Sequence, residues 1–287
     1  MTERMEELKL LVSTYYALQK ERIQTSNRIK ALERTGVARL RAADLHEHLD
    51  EKLKEIEKWI ADKVEDRLEG VDIYNAWLRH VPGVGPMLSG GLISVIDPIS
   101  EVEKPSSLWK YAGMHVVDGK APKRKKGQKV TWNPFFRTLC WKLGDSFVKA
   151  GGYYRKVYDR ARKKEDSRVP FKVPVEDAQG YLLAENVGSI EKGTMIGREN
   201  FSGFRKQAKG KDDVLVTLTD LHKFNRAKRK AVKLFIAHLW AVWRDLEGLP
   251  VRVPYVVEKL GHEMIPAPTV GQMKGTSKKS SKKPSNK

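Results

Sequence analysis

The chain holds 287 residues, 40% of them hydrophobic, enough to bury the core of one large domain or two modest ones. Against 36 Asp and Glu stand 55 Lys and Arg, and the net charge of +19 favours a polyanionic partner, nucleic acid or an anionic surface. A single cysteine, Cys140, excludes a disulfide framework and a cysteine-built zinc site.

The excess charge is not confined to one end. Lys274–Lys287 carries six lysines and no acid, and removing it from +19 leaves +13. The opening MTERMEELK lacks the apolar core of a signal peptide. The most apolar long stretch, Ala231–Trp243, is interrupted by Lys233 and His238 and is too short to span a bilayer. The expected setting is the cytoplasm, at the nucleoid, with no membrane partner.

In chain order, residues 1–70 read as a helical hairpin. Leu8, Leu11, Tyr15 and Leu18 fall at three- and four-residue steps, extended by Ile29 and Leu32, and Gly36 stops the first helix. A second helix starts near Arg41, with Leu45, Leu49, Leu53, Ile56, Ile60 and Val64 as its apolar stripe. Two uses fit this pair: a coiled-coil arm that joins two copies, or two helices packed on the chain's own core.

Residues 71–164 form the next unit. Ile73, Trp77 and Leu78 lie on a helix that runs into Val81-Pro82-Gly83-Val84-Gly85-Pro86, and a second helix spans Met87 to about Ile96, where Asp97-Pro98 ends it. A short helix around Leu108, Trp109 and Tyr111 precedes a turn at Asp118-Gly119. The segment KAPKRKKGQK, residues 120–129, holds six Lys or Arg in ten positions and must be exposed. Val130-Thr131-Trp132 reads as a short strand or a lead-in. Asn133-Pro134 starts a helix carrying Phe135, Phe136, Leu139, Leu143 and Phe147. Gly151-Gly152 interrupts it, and Tyr153–Lys164 resumes as a basic helix. Residues 165–215 are polar and Gly-rich, an irregular insertion with a few short strands. Residues 216–268 hold a closing helix from Thr219 to Leu246, capped by Thr219 and stopped by Gly248, and 269–287 read as a disordered basic tail. The expected fold is mainly α: a long helical arm, then a helical domain with a small irregular or β insertion.

The turn at Val81–Pro86 has two readings. As a helix-hairpin-helix, Gly83 and Gly85 take positive φ and let backbone amides at the following helix start meet a phosphate. Such contacts position a protein without reading sequence. As plain structure, Pro-Gly-Val-Gly is a tight helix–helix connection.

Three stretches, WLRHVPGVGPMLSGGLISVI, LWKYAGMHVVDGK and VTWNPFFRTLCWKL, resemble the C-terminal domain of the bridge-RNA-guided insertion-sequence transposases. In that family a helix-hairpin-helix precedes a Tyr-Ala-Gly segment, a Ser-Gly turn, a basic loop and an Asn-x-x-Leu-Arg-like helix. Here these are similar to Tyr111-Ala112-Gly113, Asp118-Gly119, residues 120–129 and Asn133 to Arg137. The resemblance covers most of 1–164 and 219–247 and implies a helix-hairpin-helix-containing transposase-like domain behind a coiled-coil arm. It departs in two places. No stretch resembles the family's RNase H-like domain with its four metal-binding acids. Where the family has its nucleophilic serine, this chain has Asp118, which cannot form a phosphoserine intermediate.

The expectation is therefore a transposase-related protein of DNA transposition or recombination that binds without a catalytic residue of its own. Its ligand would be DNA, with a structured RNA as the second ligand, and its arm would make a homodimer. Gly83, Val84 and Gly85 would fix register. Lys120, Lys123, Arg124, Lys125, Lys126, Lys129 and Arg137 would meet phosphates, with Asn133 beside them and Trp132 stacking on a base. Three alternatives stay open: a recombinase component whose catalytic domain comes from another chain or whose nucleophile lies elsewhere, a bridge-type RNA-binding protein, and a structural protein with an acidic partner. No cofactor or metal is expected. His46, Glu47, His48 and Glu51 are close in sequence but suit a solvated helix face. His222, His238 and His262, and Asp212, Asp213 and Asp220, lack ligand spacing. Trp109, Trp240 and Trp243 lie on apolar stripes and read as core.

Overall fold

The computed structural model describes residues 3–35, 41–116, 122, 124, 126–167, 171–174, 182–184, 194–196, 204–209, 213–252 and 265–273. The mainly α class holds. The chain divides into two units, one of Met1–Pro105 with Leu239–Met273, the other with its described residues in Ser106–His238. Among the described residues no helix is long and apolar enough to cross a membrane.

In the first unit α1 (Glu3–Thr35) and α2 (Arg41–Leu68) form an antiparallel hairpin. Its direction follows from the pairs: Arg67 donates to Glu7 at 2.7 and 2.8 Å, and Arg22 donates to Glu57 at 2.7 and 3.2 Å. Arg4 Nε also reaches the Arg67 carbonyl at 2.9 Å. The inward face of α2 differs from the apolar stripe expected of it. It runs through Asp50, Leu53, Glu57, Ile60, Val64 and Leu68, while Leu49 and Ile56 are 40% and 44% exposed. A glutamate takes the inner position because Arg22 neutralises it with two hydrogen bonds, so burial there does not demand an apolar side chain. The Leu32 and Leu45 side chains, Gly36 and the His46 side chain lie outside the described residues.

The connection Asp72–His80 is a five-residue helix, α3 (Asp72–Ala76), followed by a 3-10 turn at Leu78–His80 rather than the longer helix expected. Trp77 breaks it: its backbone leaves the helical region and its buried indole donates to the Pro268 carbonyl at 3.3 Å. Helix α4 (Pro86–Ile96) packs its small residues on the arm. A Cβ on Gly90 would stand 2.9 Å from Val64 and 3.4 Å from Val12, so only glycine lets these helices approach so closely. The buried residues Met5, Leu8, Val12, Ile60, Val64, Leu92 and Ile93 complete this core.

Helix α8 (Asp220–Leu246) ends in this unit. Trp240 and Trp243 are buried, as expected of core residues, and Trp240 Nε1 donates to the Val102 carbonyl at 2.6 Å. Buried Arg244 gives its guanidinium to the Ile99, Val102 and Pro250 carbonyls at 3.2, 3.1 and 3.0 Å. These carbonyls belong to a 3-10 turn and loops; the Ile99 and Val102 oxygens also accept from the Val102 amide and the Trp240 indole, and the arginine adds a further donor to each.

In the second unit α5 (Pro105–Tyr111), α6 (Pro134–Ala150), α7 (Gly152–Asp166) and the first two-thirds of α8 enclose an aromatic core. Asn133 caps α6, its side chain accepting from the Phe136 amide at 3.0 Å, and Pro134 opens the helix, as the sequence predicts. Gly151 and Gly152, at φ of +81° and +77°, break α6 from α7. Thr219 caps α8, and Gly248, at φ +66°, follows its end. Phe147, Tyr154 and Phe235 have ring centroids 4.9 to 5.2 Å apart, and the Tyr154 hydroxyl hydrogen bonds to His238 Nδ1 at 2.9 Å. Burial holds the Tyr154 phenol well above its usual pKa, so it stays protonated. Burial also pushes the Cys140 thiol up. Gly144 lies against Lys228 and Val232, where α6 meets α8.

Among the described residues between α7 and α8 are five short strands: β1 (Phe171–Pro174), β2 (Leu182–Ala184), β3 (Thr194–Ile196), β4 (Phe204–Lys209) and β5 (Asp213–Leu218). β5 pairs antiparallel with β1 and β4, and β2 pairs antiparallel with β3. The tail from Lys274 onward, His262, Asp212, and Asp118-Gly119 lie outside the described residues.

Candidate nucleic-acid interface

The turn residues of the first unit are in place, with one correction. Gly83 takes φ +87°, the left-handed conformation only glycine adopts without strain. Gly85 does not. Its φ of −82° and ψ of 179° are extended backbone open to any residue. What distinguishes Gly85 is space: it is exposed, and a Cβ on it would meet nothing within 4 Å. Gly85 occupies the N-cap of α4 with no side chain to cap it, and Pro86 at the first helical position has no N–H. The amides of Met87 and Leu88 are thus the first at this helix start. Val84 and Val81 are buried, so Val84 can face a ligand only through its backbone.

The second unit assembles the Tyr111–Gly113 and Trp132–Arg137 segments. The Asn133 amide donates to the Tyr111 carbonyl at 2.8 Å, and Asn133 Nδ2 donates to the Tyr111 hydroxyl at 2.7 Å. Gly113, at φ +65°, ends α5, with the Met114 amide bonded back to the Trp109 carbonyl at 2.8 Å. The Trp132 ring lies against Gly113, and the Arg137 guanidinium sits 4.8 Å from the centroid of that ring. Arg137 also reaches the Gly113 and Pro122 carbonyls at 3.4 and 3.5 Å, which ties it to the root of the basic segment. Val130–Trp132 is a lead-in without a strand. Of that segment, Arg124, Lys126 and Lys129 are exposed, and Lys120, Lys123 and Lys125 lie outside the described residues.

Helix α8 adds cations to this region. Trp109 Nε1 donates to the Lys233 carbonyl at 3.0 Å, and Lys233 Nζ lies 4.5 Å from the centre of the Trp109 ring. Arg229 stands one helical turn before Lys233. Desolvation, and then the charges of Arg137 and Arg226, lower the Arg229 pKa, although much of its side-chain surface is open. Desolvation and the charge of Arg229 lower Lys233. Arg226 pairs with buried Glu165 at 3.1 Å. Among the described residues no carboxylate pairs with Arg137, Arg229 or Lys233.

A folded chain tolerates such mutual repulsion where the cations serve something other than folding. The sequence signal was available: Arg229 and Lys233 are four apart and share a helix face. What it lacked was the position of Arg137, 92 residues earlier in the chain. His222 shows the same field, its pKa held below the usual imidazole value by desolvation and by Arg226 and Arg229.

Among the described residues no group of three His, Cys, Asp or Glu is placed to hold a metal ion. Comparison with protein-family models, with curated proteins and with solved structures finds no match.

Proposed function

We propose that this protein grips the sugar–phosphate backbone of nucleic acid, acting in DNA transposition or recombination or derived from a protein that does, at the nucleoid. The observation that carries the reading is the set Arg137, Arg229 and Lys233, whose charges oppose one another with no carboxylate partner among the described residues. Phosphate oxygens supply the missing counter-charge, and guanidinium groups meet them with two parallel hydrogen bonds. Exposed Arg124, Lys126 and Lys129 extend the positive field beyond the cluster. Gly83 and Gly85 offer backbone without side chains at a helix start, a second place where a phosphate is accommodated. Exposed Leu49, Ile56 and Trp59 on α2 suit pairing with a second copy of the arm. The resemblance to the transposase domain rests on the same segments that fold together here, Tyr111–Gly113 and Asn133–Arg137.

The test is a salt titration of binding to a labelled duplex. With roughly six phosphates engaged, log K falls with log salt at a slope of about −5. An affinity that ignores salt overturns the proposal.

A further inference from the structure

Seven tryptophans invite the question of which could meet a base. Trp132 is occupied, lying against Gly113 and beneath the Arg137 guanidinium. Trp240 and Trp243 are buried. Trp59, 58% exposed on the arm, has Glu55 four residues before it and Asp62 three after it, a setting that does not favour a polyanion. Trp141 differs from all of these. It is 61% exposed in mid-α6, where a helix normally presents a polar residue to water. Lys228 Nζ lies 5.0 Å from the centre of its ring, itself fixed by a 2.6 Å bond to Asp145. Arg137 lies four residues earlier on the same helix face, and Arg229 follows Lys228 on α8.

We propose that Trp141 is a stacking platform for an unpaired base, so that the cationic strip of α6 and α8 holds single-stranded nucleic acid in preference to duplex. This rests on the backbone-binding reading above. A large π surface held open beside cations is matched by a ligand that carries both an aromatic face and a phosphate at each unit of its chain. A duplex cannot supply that face, because its bases already stack on one another, whereas an unpaired strand can splay a base onto the indole. Lys228 beneath the ring holds the indole in place, since the ammonium is locked by Asp145 and is itself buried. Arg137 and Arg229 are then placed to take the phosphates flanking the stacked base.

The experiment compares wild type, Trp141→Ala, Trp141→Phe and the double variant Arg229→Gln/Lys233→Gln by fluorescence anisotropy. The probes are a labelled oligothymidylate of about 20 nucleotides and a random-sequence duplex of about 20 base pairs, at about 100 mM salt. Trp141→Ala is expected to weaken oligothymidylate binding roughly tenfold and duplex binding by less than about twofold, with Trp141→Phe restoring most of the loss. Melting curves monitored by circular dichroism confirm that the exposed substitution leaves the fold intact. If Trp141→Ala matches wild type on both probes while the double variant weakens both, the ring serves a protein contact; the stacking proposal falls and backbone binding stands. An equal loss on both probes also overturns stacking. Wild type that binds neither probe removes the backbone-binding reading and this proposal with it.

Discussion

Converting Arg137, Arg229 and Lys233 together to glutamine will lower duplex affinity by about two to three decades at about 100 mM salt and flatten the salt slope by about 3. Each phosphate contact contributes close to one unit of slope, so near 0.1 M salt each is worth somewhat under one decade relative to 1 M. Three contacts account for the total. Glutamine keeps hydrogen-bonding capacity but is one atom shorter than lysine and two shorter than arginine, so the cations that now sit 4.8 and 4.5 Å from the Trp132 and Trp109 rings are lost. The lost cation–π contacts and the relief of buried, crowded charge act in opposite directions, so stability will change by less than about 2 kcal/mol. Desolvation first, and then the charges of Arg137 and Arg226, lower Arg229, and desolvation followed by the charge of Arg229 lowers Lys233. Anisotropy against a labelled duplex gives the affinity, and urea unfolding gives the stability. Wild-type affinity in a folded triple variant removes this cluster from the interface.

Gly113→Ala will destabilise the protein by about 2–5 kcal/mol. Two costs combine at this position. Placing an L-residue at φ +65° costs about 1–2 kcal/mol. The new methyl would also stand 2.7 Å from Arg137 Nη1 and 2.8 Å from Trp132 Cγ, and overpacking of this kind costs about 1–3 kcal/mol. Gly127 supplies the control. It has φ +76° but nothing within 4 Å of a Cβ, so Gly127→Ala bears the backbone cost alone. Urea denaturation of both variants separates the two contributions. A loss at Gly113 no larger than that at Gly127 would show that the glycine is not a wedge under the indole. Because Arg137 shares the crowded space, the same substitution should disturb the interface, and the binding assay above reads that effect.

Much of the helical framework is written locally in the chain. Asn133-Pro134 marks a helix start, Gly151-Gly152 a break, and Thr219 and Gly248 the ends of α8, because caps and positive-φ glycines act over a few residues. The inner face of α2 was not legible in this way. Ile56 and Glu57 are adjacent, and only the approach of Arg22, 35 residues away, decides that the glutamate turns in. The short helix before the turn follows a similar rule, since the Trp77 indole is drawn inward by a carbonyl at Pro268. The candidate interface was half legible. The fold brings Trp132 and Arg137 together, with Trp132 lying against Gly113. Trp141 is an exposed ring on α6 that a helical pattern would place without distinguishing it from its neighbours. Arg229 and Lys233 join Arg137 only through the packing of α6 on α8 at Gly144.

The bare N-cap at Gly85 carries an evolutionary consequence. Serine, asparagine or aspartate there would cap α4 and stabilise the helix by a few tenths of a kcal/mol or more, and the extended backbone and open space at Gly85 would accept any of them. Such a side chain would bond to the amides at Met87 and Leu88, occupying the donors a phosphate needs and placing an anion there in the case of aspartate. A selection for folding alone would fill this position; under the proposed function a selection for binding would keep it empty. Drift at residue 85 toward a capping residue would then mark a lineage held to its fold and no longer to that binding.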